Sequence, residues 1–181
     1  MKTIYLEHSA GTHRICDWTA ETDLTERPQR IVVGTGPGSF AGIRAALAFA
    51  QGYALGAPGC EVRGLPSACA LVEPGDGPLA VVGDARRGLY WVALFEGFRL
   101  VTDIFLATAE DLPRRVPLGA PVVTPDAARI DAFLKETFGA RYRGGRTPTA
   151  EGLRRFAEAC PSILRPEPLP LYLNPAVREN N

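Results

Sequence analysis

The tightest constraint on the fold lies between residues 30 and 56. An apolar run, Arg30-Ile-Val-Val33, leads directly into Gly34-Thr-Gly-Pro-Gly-Ser-Phe-Ala-Gly-Ile-Arg44, and then into a stretch crowded with alanine and glycine. Three glycines in the five residues from Gly34 to Gly38 let the backbone turn sharply at the end of a strand, through φ values that other residues avoid. Ser39 stands where a helix cap belongs, and the free N–H groups of a helix start favour an anion. Gly34, Gly36, Gly38 and Ser39 are therefore the candidate phosphate loop. The segment is not a P-loop, because no Gly-Lys-Ser/Thr follows. It is not the dinucleotide fingerprint either, because Ser39 holds the third glycine position. On glycine content alone, a structural strand-to-helix turn is the favoured reading.

The expected helix runs from Ser39 to Leu55, with Gly56 just past its end and Pro58 blocking continuation. Ala45, Ala46, Ala48, Ala50, Gly52 and Ala54 put small side chains on nearly every face. Ile43, Leu47 and Ala54 are expected to face a sheet, while Gly42, Ala45, Phe49 and Gly52 fall on another side. A face built of small residues and one aromatic suits close approach of a second helix. The competing reading is that both faces are buried within this chain.

With 181 residues, the chain has room for one domain or two small lobes. Lys2 to Leu6 and His13 to Trp18 read as strands, and Thr19 to Arg30 as polar and turn-rich. Glu73-Pro-Gly-Asp-Gly-Pro78 is dense in turn formers and marks the expected lobe boundary, giving lobes 1–76 and 77–181. Beyond it, Leu79 to Val82, Leu89 to Phe95 and Leu100 to Leu106 read as strands. Thr108 caps a short helix with Asp111 in the capping-box position, and Val122-Val123 is a strand. Thr124-Pro125 opens a helix that carries Ile130, Phe133, Leu134 and Phe138 and stops at Gly139. A last helix begins near Thr147-Pro148 with Leu153, Phe156, Ala157 and Cys160 on one face, and residues 161–181 form an extended tail. Strands and helices alternate, so the class is α/β.

Lys plus Arg and Asp plus Glu both number 20, which excludes a strongly basic nucleic-acid binder. Arg141, Arg143, Arg146, Arg154 and Arg155 are read first as a solvated face. The cysteines, Cys16, Cys60, Cys69 and Cys160, match no zinc spacing, and reduced, inert thiols in a cytoplasmic protein are expected. No membrane span or metal site is expected. Asp84-Ala-Arg86-Arg87 follows an apolar strand, and Glu7 ends the first. Each acid reads as a turn residue paired with a neighbour or, in an enzymatic alternative, as a magnesium-linked group of a small phosphotransferase or ATPase. His8 and His13 sit near the N-terminus with nothing in the sequence pointing to a triad, their spacing of five is not that of an i, i+4 zinc pair, and Ser39 lacks the flanking glycines of a nucleophile elbow. No catalytic residue is assigned.

The glycine run and its helix, through Ala50-Gln-Gly-Tyr-Ala-Leu-Gly56, resemble the signature of the bacterial TsaB (YeaZ) family, G-x-G-P-G-S-F-T-G-(L/V/I)-R. Asp84-Ala-Arg-Arg-Gly-Leu-Tyr90, Gly64-Leu-Pro-Ser67 and Pro170-Leu-Tyr-Leu173 resemble further segments of that family, in order along the chain. The resemblance implies an actin-like (sugar kinase-like) fold of two lobes with mixed sheets, and a part in making threonylcarbamoyladenosine on tRNA. It implies a non-catalytic scaffold that dimerises through the helix after the glycine loop with a TsaD-like catalytic subunit or with a second copy. A TsaE-like ATPase would join, tRNA would be reached indirectly, and no cofactor would be held except a nucleotide with magnesium at a partner interface. The implied interface is Ser39, Phe40, Gly42, Ala45, Ala46, Phe49, Gly52 and Tyr53, supported by Glu7, Arg44, Asp84 and Arg86. Three departures stand out. Glu7-His8 replaces the family's D-T, Ala41 replaces its loop threonine, and the dozen residues before Arg30 are too few for the family's extra strand and helix, so the N-terminal lobe is reduced.

Overall fold

The computed structural model describes residues 2–10 and 27–173. The expected strand at 13–18 and most of the turn-rich stretch after it lie outside these. In chain order the first elements are β1 (Thr3–Leu6), β2 (Arg30–Gly34), α1 (Phe40–Gly56), β3 (Glu61–Leu65) and a 3-10 helix (Ser67–Leu71). There follow β4 (Pro78–Arg86), β5 (Leu89–Glu96), β6 (Phe105–Thr108), α2 (Leu112–Arg115), β7 (Val122–Thr124), α3 (Ala127–Phe138), β8 (Tyr142–Gly145) and α4 (Ala150–Ala159).

The chain divides into two compact units. The first holds residues 1–76, 97–99 and 147–171, and the second holds 77–96, 100–146 and 172–181. The break after Asp76 falls inside the proline- and glycine-rich stretch. The sequence reading kept all of 77–181 together, whereas the segment from Thr147 to Leu171 returns to the first unit.

In the first unit the described strands form a parallel sheet in the order β1-β2-β3. Parallel neighbours need a long crossover, and α1 supplies it between β2 and β3. Alternation sends Ile4, Leu6, Ile31 and Val33 to one face, where Ile43, Ala46, Leu47 and Ala50 of α1 close a core over them. On the other side α4 packs against β1 and the 3-10 helix, burying Leu153, Phe156 and Ala157. The Thr149 hydroxyl caps α4 by accepting from the Gly152 N–H at 3.0 Å.

The second unit is a mixed five-stranded sheet, β6-β5-β4-β7-β8. Antiparallel hairpin pairing joins β4 to β5 and β5 to β6, while β7 runs parallel to β4 and β8 parallel to β7. Ile130, Leu134 and Phe138 of α3 cover Ala80, Val82, Val92 and Val122. Several starts differ from expectation. α2 begins only at Leu112, with Asp111 rather than Thr108 in the cap position, while the Thr108 hydroxyl accepts from the Asp111 N–H at 3.2 Å in the turn before it. The α3 helix begins at Ala127, because the Thr124 hydroxyl accepts from the Asp126 N–H at 3.0 Å and holds Pro125 in the turn before it. The third strand of the meander begins at Phe105 rather than Leu100, with only Leu100 bridged back to Phe95.

Candidate functional site

The glycine turn ends β2 and starts α1. Gly36 and Gly38 take φ of +98° and +156°, and the Gly36-Pro37 peptide is cis. Its polar groups are engaged by the protein itself. The Thr35 N–H donates to the Leu65 carbonyl at 2.9 Å, the Gly36 N–H donates to the Ser67 hydroxyl at 2.9 Å, and the Ser39 N–H donates to the Ser9 carbonyl at 2.8 Å. In return the Gly36 carbonyl accepts from the Ser67 N–H at 2.7 Å, and the Thr35 carbonyl accepts from the Leu171 N–H at 2.8 Å. Ser39 caps α1, its hydroxyl accepting from the Gly42 N–H at 3.3 Å. Residues 34–37 are buried. The donors an anion would use at Gly36 and Ser39 are thus already occupied within the protein.

Two segments press against that turn and the start of α1: the stretch just past β1 and the C-terminal tail. Gly34 lies under the Glu7 carboxylate, and a Cβ there would sit 2.0 Å from Glu7 Oε2. Gly42 lies under the His8 carbonyl, and a Cβ there would sit 2.1 Å from that oxygen. The tail crosses from Arg165, which exchanges both backbone hydrogen bonds with Gly64, to Leu171 on Thr35. Glu7 is therefore a buried wedge against the glycine turn and is not presented to solvent.

The outer face of α1 has a different character. Ala41, Arg44, Ala45, Ala48, Phe49, Gly52, Leu55 and Gly56 are exposed. Phe40 is 56% exposed and Leu55 88%, and with the exposed Phe49 they flank the small residues of this face. The Arg44 guanidinium lies 4.9 Å from the centre of the Phe40 ring, and the Phe49 and Tyr53 rings stack at 6.4 Å. Ser39, Phe40, Ala45, Phe49 and Gly52 of the expected interface lie on this side. Gly42 and Ala46 do not; both are buried, and Tyr53 packs partly on the core. The reason is helical phase, since Ile43, Leu47 and Ala50 fix the inward direction and carry Gly42 and Ala46 with them. The same phase sends Ala41, Ala48 and Leu55 outward, which the composition of the helix alone did not single out. Gly56 is the last helical residue, with Ala57 as its cap.

Asp84 sits on β4 in the second unit. Its Oδ2 accepts from Arg129 Nε at 2.8 Å, and its Oδ1 accepts from the Arg86 N–H at 2.8 Å. Its own N–H donates to Asp126 Oδ2 at 2.8 Å, and Arg129 also pairs with Asp126. Burial pushes the Asp126 carboxyl up, while the Asp84 N–H and the Arg129 charge pull the other way. Asp84 is thus the paired turn residue of the two readings, with both oxygens occupied. Asp126 and Arg129 escaped the sequence reading because they join Asp84 only through the parallel β4–β7 pairing. Arg86 itself is exposed and lies 3.5 Å from Asp84. Among the described residues no cluster of His, Cys, Asp or Glu is placed to hold a metal ion, and no helix is long and apolar enough to cross a membrane. Cys60, Cys69 and Cys160 are free thiols, and burial pushes the Cys69 thiol well up.

Fold and sequence together define a protein of the actin-like class built around a glycine-rich turn and a small-residue helix. Residues 13–145 match the family model of TsaD, tRNA N6-adenosine threonylcarbamoyltransferase. The structure of YeaZ from Pseudomonas aeruginosa superimposes with a TM-score of 0.62 at 21% identity, covering 81% of this chain and 74% of that one. A second structure, of a protein described as similar to the peptidase YeaZ from the same organism, gives 0.61 at 22% identity over the same shares. Uncharacterized proteins of Mycobacterium tuberculosis and Mycobacterium bovis are 42% identical over 106 residues, 57% of this chain. The match spans 48% of each of those relatives, about half their length. The chain belongs to the tRNA threonylcarbamoyladenosine-modification family of TsaD and TsaB (YeaZ), as the glycine motif led us to expect.

Proposed function

We propose that this chain is a non-catalytic scaffold of the TsaB type, which binds a TsaD-like catalytic subunit through the outer face of α1 and holds it in a competent arrangement for tRNA modification. The observation that carries this reading is the exposed strip of Ala41, Ala45, Ala48 and Gly52, flanked by Phe40, Phe49 and Leu55. Small residues in line let helix axes approach to about 8 Å, and the aromatic flanks add buried area. Membership of the family supplies the kind of partner. A TsaE-like ATPase joins that complex, tRNA is contacted through the partner, and any nucleotide with magnesium belongs to the partner interface. The site of action is the cytoplasm, where tRNA is modified.

The Ser39 hydroxyl acts as a helix cap, accepting from the Gly42 N–H at 3.3 Å, and in this reading its role is structural. The test is native mass spectrometry of the chain with the TsaD-like subunit of its own organism. A one-to-one complex at micromolar concentration, abolished by Ala45→Arg and by Phe49→Arg with folding intact, is the expected result. Absence of any heteromeric complex for the wild type rejects the reading, and a self-dimer alone assigns the face to a second copy.

A further inference from the structure

A carboxylate taken out of water is stable only with a cation or several donors on its oxygens; otherwise it keeps its proton. Glu7 is 4% exposed. Its Oε1 accepts from the Ser9 N–H at 2.6 Å, while its Oε2 is buried without a hydrogen-bond partner. Beside Oε2, over Gly34, lies the Ser67 hydroxyl oxygen. An added Cβ on Gly34 would be 2.0 Å from the first and 2.7 Å from the second. Ser67 Oγ already accepts from the Gly36 N–H and keeps a further lone pair.

Among the described residues, no ionisable group pairs with Glu7 to supply a compensating charge. His8 adjoins it in the chain just past β1, and Cys69 of the 3-10 helix feels both the Glu7 and the Arg165 charge. The glycine turn brings only backbone. Among the described residues no Lys, Arg or His forms an ion pair with Glu7. Burial pushes the Glu7 carboxyl up, and the Ser9 and Ser67 groups that pull it down do not cancel the effect.

We infer that Glu7 is held as the neutral acid, its Oε2–H directed at Ser67 Oγ, and that this proton is a latch closing the end of β1 onto the glycine turn and the cap of α1. The latch links Ser9, whose N–H bonds Glu7 and whose carbonyl receives the Ser39 N–H, to Ser67, which receives the Gly36 N–H. When pH rises, the proton leaves Oε2 for solvent. A buried charge remains with no cation on it among the described residues, and the Ser9, Ser67 and His8 groups that favour the ionised form do not offset its burial, so the turn is expected to loosen. The native state then binds a proton that the unfolded chain has lost. Stability is therefore full below the ordinary glutamate pKa and falls as pH climbs toward the raised native value, by up to about tenfold in the folding constant per pH unit. This inference is independent of what docks on α1.

The test is a 13C titration of the glutamate side-chain carboxyls in the full chain, with Glu7 identified by sequential assignment and by its absence in Glu7→Gln. Amide hydrogen exchange of Gly36 and Ser39 is followed across the same pH range. Glu7 is expected to titrate above every other glutamate. Protection at Gly36 and Ser39 should fall over that interval in the wild type and stay level in Glu7→Gln. A Glu7 value at or below the ordinary range overturns the inference, whether or not the variant folds. So does protection that falls with pH equally in both proteins.

Discussion

Two Gly→Ala changes in the same helix should act in opposite directions. In an exposed helix interior, alanine is favoured over glycine by about 1 kcal/mol, because it loses less backbone freedom on folding. At Gly52 nothing lies within 4 Å of an added Cβ, so Gly52→Ala should gain most of that. At Gly42 the added carbon would meet the His8 carbonyl oxygen at 2.1 Å. A comfortable C···O contact is about 3.3 Å, so roughly 1 Å of movement is required. The oxygen belongs to the backbone just past β1, next to the Ser9 carbonyl that receives the Ser39 N–H, and cannot swing aside like a side-chain tip. Overpacking of this sort costs about 1–3 kcal/mol, which outweighs the helix gain at its upper end. Gly42→Ala should therefore fall below Gly52→Ala by about 1–3 kcal/mol, the overpacking cost that only the first incurs. Urea denaturation of wild type and both variants, with equal slopes, measures the difference. Equal stability of the two variants, or a Gly42→Ala protein more stable than wild type, would refute the close approach of β1 to α1.

Two further outcomes follow from local geometry. Arg87 sits in the β4–β5 hairpin at φ +56°, a conformation that costs a non-glycine residue about 1–2 kcal/mol; Arg87→Gly should raise the melting temperature, and a lower one would contradict the turn. The Tyr142 hydroxyl donates to Asp131 at 2.9 Å, and its pKa is pushed up to about 12, first by burial and then by that acceptor. The native state therefore keeps this proton between about pH 10 and 12, so stability should fall with rising pH across that window, and Tyr142→Phe should remove the last-titrating tyrosine from an ultraviolet pH titration.

Much of this fold could be read locally. Arg30 to Val33, the three glycines and Ser39 specify strand, turn and cap through chemistry confined to a few neighbouring residues, and the structure reproduces each. Gly139 stops α3 at a positive φ, again a local cause. What escaped the reading depends on partners far away in sequence. β3 and β8 were missed because Glu61-Val-Arg-Gly-Leu65 and Tyr142-Arg-Gly-Gly145 hold few apolar residues and become strands by pairing with β2 and β7. The return of α4 to the first unit was hidden for the same reason, since its apolar face shows that it packs but not on what. In α1 the small residues were visible, yet only the phase set by Ile43, Leu47 and Ala50 decides that Gly42 and Ala46 face inward while Ala41 and Ala48 face out. The engagement of the glycine turn by Ser9, Ser67 and Leu171 was equally out of reach.

The outer face of α1 carries the account, and complex formation with a TsaD-like subunit tests it most directly. Native mass spectrometry of the mixed proteins should give a one-to-one complex for the wild type, and free subunits when Ala45 or Phe49 is replaced by arginine. A wild type that forms no such complex, or charged variants that assemble as well as it does, would contradict the account.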